Sequence, residues 1–276
     1  MTLSDWYQIT NSFRIALCCP KFGEHQSAYP LTYINVVIFF FIALIYSSAG
    51  FGGGSLYLAV LSQSGFAPAV LRWTALLCNA VVTGTGVWNY HKNSWAEWRR
   101  ILPLLAFSLP MTVLGASFEL QDRVYFILLA CALLLAAIAM VVQAFGQKPN
   151  EYSAEKNPWW IYPISSAVGL LAGMTGIGGG IYLAPILHIV KWDEPKKIAA
   201  ASSAFILVNS IAGLCTQAFR GEAFLNLDLV LLIGAVLVGG AIGSRLSIAW
   251  LSQKSIRWIT IGLLIFAAVR ILSKYL

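Results

Sequence analysis

Apolar runs, uncharged except for Arg72, Arg257 and Arg270, alternate with short polar turns along nearly the whole chain, and the runs come in two lengths. Full-length runs lie at 31–49, 67–90, 101–117 and 124–145, and again at 159–174, 198–219, 229–244 and 256–273. Two short apolar pieces, 56–61 and 182–190, sit between the first and second long runs of each half. About 20 apolar residues span a hydrocarbon core of roughly 30 Å, so the long runs predict transmembrane helices. A piece of ~10 residues reaches only about 15 Å, half that depth. Pro68 suits a helix start, whereas Pro103 and Pro110 inside the 101–117 run predict a kink.

Each short piece follows a glycine run at the end of a long one: Gly50-Phe51-Gly52-Gly53-Gly54 and Gly176-Ile177-Gly178-Gly179-Gly180. Every such glycine costs roughly 1 kcal/mol against Ala in a helix interior. Glycine offers instead positive φ, close backbone approach and bare N–H groups. The two runs therefore predict non-helical loops that break two spans at mid-depth and line one shared binding site.

The halves repeat. Gly50, Gly52, Gly53 and Gly54 match Gly176, Gly178, Gly179 and Gly180 at a spacing of 126. Pro68 pairs with Pro195, Asn79 with Asn209, and Gly115-Ala-Ser with Gly243-Ser-Arg, the offset drifting by a few residues. The predicted fold is an all-α polytopic membrane protein of two pseudo-symmetric halves. Each half has four full-length transmembrane helices plus one short broken or half helix after its glycine-rich loop. The divisions are a polar, interfacial segment 1–30 with a possible helix from Trp6 to Leu17, a first membrane repeat 31–145, a linker 146–157, and a second repeat 158–276. Duplicated halves with a broken helix in each point to a transporter with its site at the repeat interface.

Two topologies fit. Re-entrant short pieces give eight spans and parallel halves; crossing pieces give ten spans and inverted halves. Charge favours crossing. It collects Lys92, Arg99, Arg100, Lys148, Lys156, Lys191, Lys196, Lys197, Arg245, Lys254 and Arg257 on one side and leaves seven Lys/Arg on the other, the asymmetry of cytoplasmic loops.

Composition agrees. The 276 residues are 59% hydrophobic and 11% charged, against about 25% charged in a soluble domain. The net charge of +7 fits that loop bias, and no basic cluster with interleaved aromatics suggests nucleic acid. The mixed residues 1–30 do not read as a cleavable signal peptide. Cys78, Cys131 and Cys215 fall in apolar spans as small hydrophobes, and the adjacent Cys18-Cys19 has no metal spacing. No nucleophile motif, phosphate-binding lysine loop or metal or cofactor ligand set can be assembled, so an enzyme is not expected.

Carboxylates are confined to termini, turns and the linker, which argues against a buried acid proton relay. The intramembrane polar groups are neutral, among them Thr175, Ser202, Ser203, Asn79 and Asn209. With glycine N–H groups and half-helix N-termini, they suit a small anion. Small residues also simply allow close helix packing, the reading preferred for isolated ones such as Thr83. The candidate substrate-binding set is Gly50, Gly52, Gly53, Gly54, Asn79, Thr175, Gly176, Gly178, Gly179, Gly180, Ser202, Ser203 and Asn209. Arg72 and Lys197 are candidates to attract the anion at the mouth, or else snorkel at the interface.

The glycine motifs resemble the TauE/SafE family of sulfite exporter-like permeases, together with Leu71-Arg72-Trp73-Thr74-Ala75-Leu76-Leu77-Cys78-Asn79, Trp88, Gly173-Met174-Thr175 and the segment Ala201 to Gly213. The resemblance runs from about residue 31 to the C-terminus. It implies movement of sulfite, sulfonates or related anions across a bacterial inner membrane. The family more commonly has a Thr-Ser pair where this chain has Ser202-Ser203. A non-transporting membrane assembly or binding subunit and a transporter of another small solute remain as alternatives. The sequence does not specify an oligomeric state.

Overall fold

The computed structural model describes residues 33–273 apart from 49, 63–66, 119, 147–157, 224–226, 250–257, 259, 260, 263, 267 and 270. The expected interfacial helix and most of the linker lie outside the described residues. Among the described residues the regular elements are all helices: α1 (Tyr33–Ser48), α2 (Gly54–Leu61), α3 (Pro68–Lys92), α4 (Trp98–Ser117), α5 (Asp122–Gly146), α6 (Ile161–Thr175), α7 (Gly180–Ile189), α8 (Pro195–Phe219), α9 (Leu227–Ala249) and α10 (Leu264–Ser273). Five of these, α3, α4, α5, α8 and α9, are long and apolar enough to cross a membrane. Side chains such as Phe41, Leu135 and Val238 are exposed on the outside of the bundle, as a lipid-facing surface requires. α4 is continuous through Pro103 and Pro110.

α3 and α8 form the centre and run antiparallel. Both have 25 residues and open with Pro at the first turn. Arg72, near the start of α3, lies 3.8 Å from Glu222, just past the end of α8. At the opposite end, Lys196 of α8 sits 4.9 Å over the ring of Trp95, just past α3. These are the Arg72 end and the Arg100 end of the bundle.

The outer pairs exchange partners between the two halves of the chain: α4 packs along α6, and α1 along α9. Lipid tails supply no hydrophobic drive between helices, so small residues and interhelical hydrogen bonds must hold such pairs together. At Gly115 of α4 an added Cβ would collide with the Leu170 carbonyl oxygen of α6, and at Gly243 of α9 with the Leu44 carbonyl oxygen of α1. Hydroxyls tie the same seams. Ser47 Oγ donates to Gly240 O at 2.8 Å, Ser166 Oγ to Phe107 O at 3.1 Å, and Asn89 Nδ2 reaches Ser244 Oγ at 2.6 Å between α3 and α9.

Following the contacts shows where the short helices go. α6 ends at Gly176, packed on Arg72. α7 begins against Ile206 and Ser202, inside the span of α8, and leads to Trp192, whose carbonyl accepts from Arg100 Nη2 at 2.8 Å. Segment 176–192 therefore passes from the Arg72 end to the Arg100 end. In the other half Gly50 packs on Ala199 in the opening turns of α8, Gly52 and Gly54 meet Asn79 half-way along α3, and Pro68 starts α3 at the Arg72 end. Both short segments traverse the bundle instead of turning back.

Candidate functional site

The two glycine loops meet at the centre. A narrow cavity between them is lined by Tyr46, Phe51, Gly52, Gly53, Gly54 and Ser55 from one side and Ile177, Ile181 and Ile206 from the other. It has room for about one water molecule. The loops form because each short helix is capped by a glycine in the left-handed region, Gly53 at φ 85° and Gly179 at φ 81°. A side chain at either would be strained and crowded: an added Cβ would stand 2.9 Å from the Tyr57 ring at Gly53, and 2.9 Å from the Phe205 ring at Gly179. Gly52 lies outside a helix, whereas Gly54 and Gly180 are the first helical residues of α2 and α7. The expectation of wholly non-helical glycine runs is corrected there: the last glycine of each run already belongs to the short helix, where an N–H has no intrahelical acceptor.

Asn79 joins the loops. Fully buried on α3, it donates from Nδ2 to the Ile177 carbonyl at 3.0 Å, while its amide abuts Gly52 and Gly54 closely enough that a Cβ at either would collide with it. Its Oδ1 accepts no hydrogen bond. Ser203 Oγ donates to the Gly50 carbonyl at 2.8 Å and so pins the first loop from α8. The hydroxyls of Ser55, Ser202 and Ser210 are buried without a hydrogen-bond partner, although a buried hydroxyl ordinarily finds one.

The pairing of Asn79 with Asn209 does not survive. Counted from the prolines that open α3 and α8, the offset is 127, which sets Asn79 against Ile206, Thr83 against Ser210, and Val82 against Asn209. The glycine contacts follow that register. Gly52 meets Asn79 and Thr83, whereas Gly178 meets Ile206 and Ser210, and Gly180 meets Ile206. The Asn79 amide reaches both loops, while its counterpart by register, Ile206, packs on the second loop with no polar group. Asn209 turns outward from the loops, where its Oδ1 accepts from Ser108 Oγ at 3.1 Å and Thr112 Oγ1 at 3.0 Å on α4. Physically it is a helix-packing amide that fastens α8 to α4.

The remaining candidates separate. Thr175 spends its hydroxyl on Leu171 O at 2.7 Å in its own helix, and its carbonyl accepts from Tyr125 OH at 3.0 Å. Gly176 ends α6 in the left-handed region against Arg72. Lys197 is not a free charge at a mouth. It is bound to Glu97 and lies 3.3 Å from Asp193, in a network where Arg100 Nη1 meets Asp193 Oδ2 at 2.6 Å and Arg100 stacks 4.1 Å over Trp192. Arg72 is buried too, 5% exposed, with Nε and Nη1 lacking hydrogen-bond partners. Ser55, Ile177 and Ile181 line the gap and Ser210 abuts Gly178, although none of the four is in the substrate-binding set read from the sequence. Counting from Pro68 and Pro195 makes Ser210, already one of the neutral intramembrane polar groups, the counterpart of Thr83.

The model of the family described as Sulfite exporter TauE/SafE matches residues 35–271. The chain is 32% identical over 242 residues to the probable membrane transporter protein y4hK of Sinorhizobium fredii, an alignment covering 86% of this chain and 96% of that one. It is 26% identical over 238 residues to the probable membrane transporter protein MamO of Paramagnetospirillum magneticum, covering 71% of this chain and 37% of that longer protein. A segment of 77 residues is 36% identical to a probable membrane transporter protein of Haemophilus influenzae. No solved structure matches the chain. With a family match over almost the whole helical region and a relative of nearly equal extent, the chain belongs to the TauE/SafE sulfite exporter family and is a membrane transporter, not an enzyme.

Proposed function

We propose that the chain is a permease for small sulfur-containing oxyanions such as sulfite or sulfonates. It is built as two inverted halves of five crossings each and holds the anion between its glycine loops. The observation that carries the reading is the meeting of both loops around one buried gap. The N-terminal turns of α2 and α7 and Ser55 border the gap. Behind the loops lie the Asn79 amide, against Gly52 and Gly54, and the serines Ser202 and Ser210, whose hydroxyls are unpartnered, against Gly180 and Gly178, with no carboxylate among these described residues. N–H groups at helix starts carry partial positive charge and suit an anion, and hydroxyls donate to it without adding negative charge. The gap is the closed form; the loops part to admit the anion and close behind it, and Asn79 couples them. The Arg100 end, rich in Lys and Arg, faces the cytoplasm of a bacterial inner membrane.

With no carboxylate at the centre, the anion moves without a proton relay. Export then follows the membrane potential, about 2.3 kcal/mol per charge at 100 mV. The test is efflux of radiolabelled sulfite from proteoliposomes whose potential is clamped by a potassium gradient and ionophore. Saturable efflux that reverses its preference with the sign of the potential is expected. Flux no greater than in protein-free vesicles for sulfite, thiosulfate and a sulfonate would remove the substrate reading. Flux indifferent to potential but driven by a pH gradient, with the pH of each compartment varied separately, would remove the coupling argument.

A further inference from the structure

The Arg72 end holds a second group of polar side chains that the central gap does not use. Arg72 is 5% exposed, and two of its three guanidinium nitrogens, Nε and Nη1, have no hydrogen-bond partner. A guanidinium carries five N–H donors in a fixed fork, and leaving donors buried and unmade is costly. Its counter-ion, Glu222, stands off at 3.8 Å from Nη2, beyond hydrogen-bond distance, with a buried Oε2 that accepts nothing. The other oxygen of Glu222 lies 3.3 Å from Arg220 Nε. Gln217 is fully buried with both amide atoms unpartnered. A Cβ at Gly213 of α8 would touch Leu76 of α3 at 3.0 Å. One turn further toward this end on each antiparallel helix, Gln217 and Arg72 stand at the same level. Tyr125 completes the wall, its ring 5.7 Å from the Arg72 guanidinium carbon.

We propose that Arg72 and Gln217 form a second anion-binding station at this end of the bundle, and that the Glu222 carboxylate occupies it until an oxyanion displaces it. The inference rests on the oxyanion reading above. The chemistry fits: a planar fork and an amide recognise an oxyanion with several acceptor oxygens, and a carboxylate is the side chain that imitates one. Displacement leaves Glu222 compensated, because Arg220 already holds its other oxygen. The station also communicates with the centre. Gly176 packs on the stem of Arg72, where an added Cβ would lie 2.9 Å from Cγ, so movement of the guanidinium bears on the second glycine loop.

The test titrates the full chain in nanodiscs with sulfite, thiosulfate, sulfate, nitrate, phosphate and formate at constant ionic strength, reading affinity by calorimetry. The wild type is compared with Glu222→Gln, Glu222→Ala, Arg72→Gln and the Arg72→Gln/Glu222→Gln pair. Removing the competing carboxylate tightens binding about fivefold, the equivalent of an ion pair worth ~1 kcal/mol. Arg72→Gln weakens binding, and adding Glu222→Gln on that background changes nothing. Unchanged or weaker binding in both Glu222 variants overturns the proposal, as does a gain that persists without Arg72, or an absence of binding by every anion in every variant. Should Arg72→Gln not be recovered folded, the two Glu222 variants decide. If sulfur anions bind with no Glu222 effect, the station fails and the substrate reading stands. If nitrate or formate binds in their place with the Glu222 effect intact, the substrate reading fails and the station stands.

Discussion

Replacing Asn79 by Leu separates the role of that side chain in the fold from its role in transport. Leu has a similar branched shape, so no large void opens in a helix that is closely packed at this level. The change removes one hydrogen bond, Nδ2 to the Ile177 carbonyl at 3.0 Å. Stranding that buried acceptor costs about 1–3 kcal/mol. It also removes Oδ1, a buried acceptor that has no partner, and relief of that group returns a similar amount, about 1–3 kcal/mol. The two nearly cancel, so net stability changes by about 1 kcal/mol or less, a shift of about 2–4 °C in Tm. Transport suffers instead: the amide is the direct polar link between the loops, and its loss uncouples their closure, lowering flux at least tenfold. Thermal unfolding in detergent and sulfite efflux from proteoliposomes, measured on one preparation, give both numbers. A variant that transports at the wild-type rate refutes the coupling role. A Tm that falls by more than about 10 °C refutes the cancellation, because Oδ1 would then have been satisfied in the wild type.

Gly115→Ala and Gly243→Ala push a methyl into the backbone of the neighbouring helix and should each cost about 1–3 kcal/mol or more, seen as lower yield and Tm. Gly234→Ala, where nothing lies within 4 Å, should be neutral or gain up to ~1 kcal/mol. Asp193→Ala strips Arg100 and Lys197 of a buried partner and should lower Tm while leaving the sulfite half-saturation unchanged; a changed half-saturation with unchanged Tm would return Lys197 to the anion path. On a background lacking the native cysteines, Asn93→Cys should be protected from an impermeant maleimide in intact cells and Ala223→Cys labelled, and the reverse pattern would invert the assigned orientation.

Much of this protein is written in one dimension. The apolar runs mark α3, α4, α5, α8 and α9 to within a few residues, because water-soluble alternatives are excluded by composition and a bilayer demands helices. The glycine runs mark the breaks, since left-handed positions as crowded as Gly53 and Gly179 favour a residue without a Cβ. The Lys and Arg asymmetry pointed to short segments that traverse the bundle, and the packing of Gly176 on Arg72 with Trp192 at Arg100 agrees. What required three dimensions was the choice of neighbours. Asn79 and Asn209 look alike in sequence, yet the helices turn about 100° per residue, so an offset of three residues sends one amide to the loops and the other to α4. Lys197 reads as a free cation until Glu97, a hundred residues away in the chain, closes on it beside Asp193, one turn before it. Glu222 reads as a loop carboxylate until the antiparallel crossing of α3 and α8 sets it beside Arg72. Periodicity records which residues are apolar or helix-breaking; partners are decided where helices cross, and no local pattern encodes that crossing.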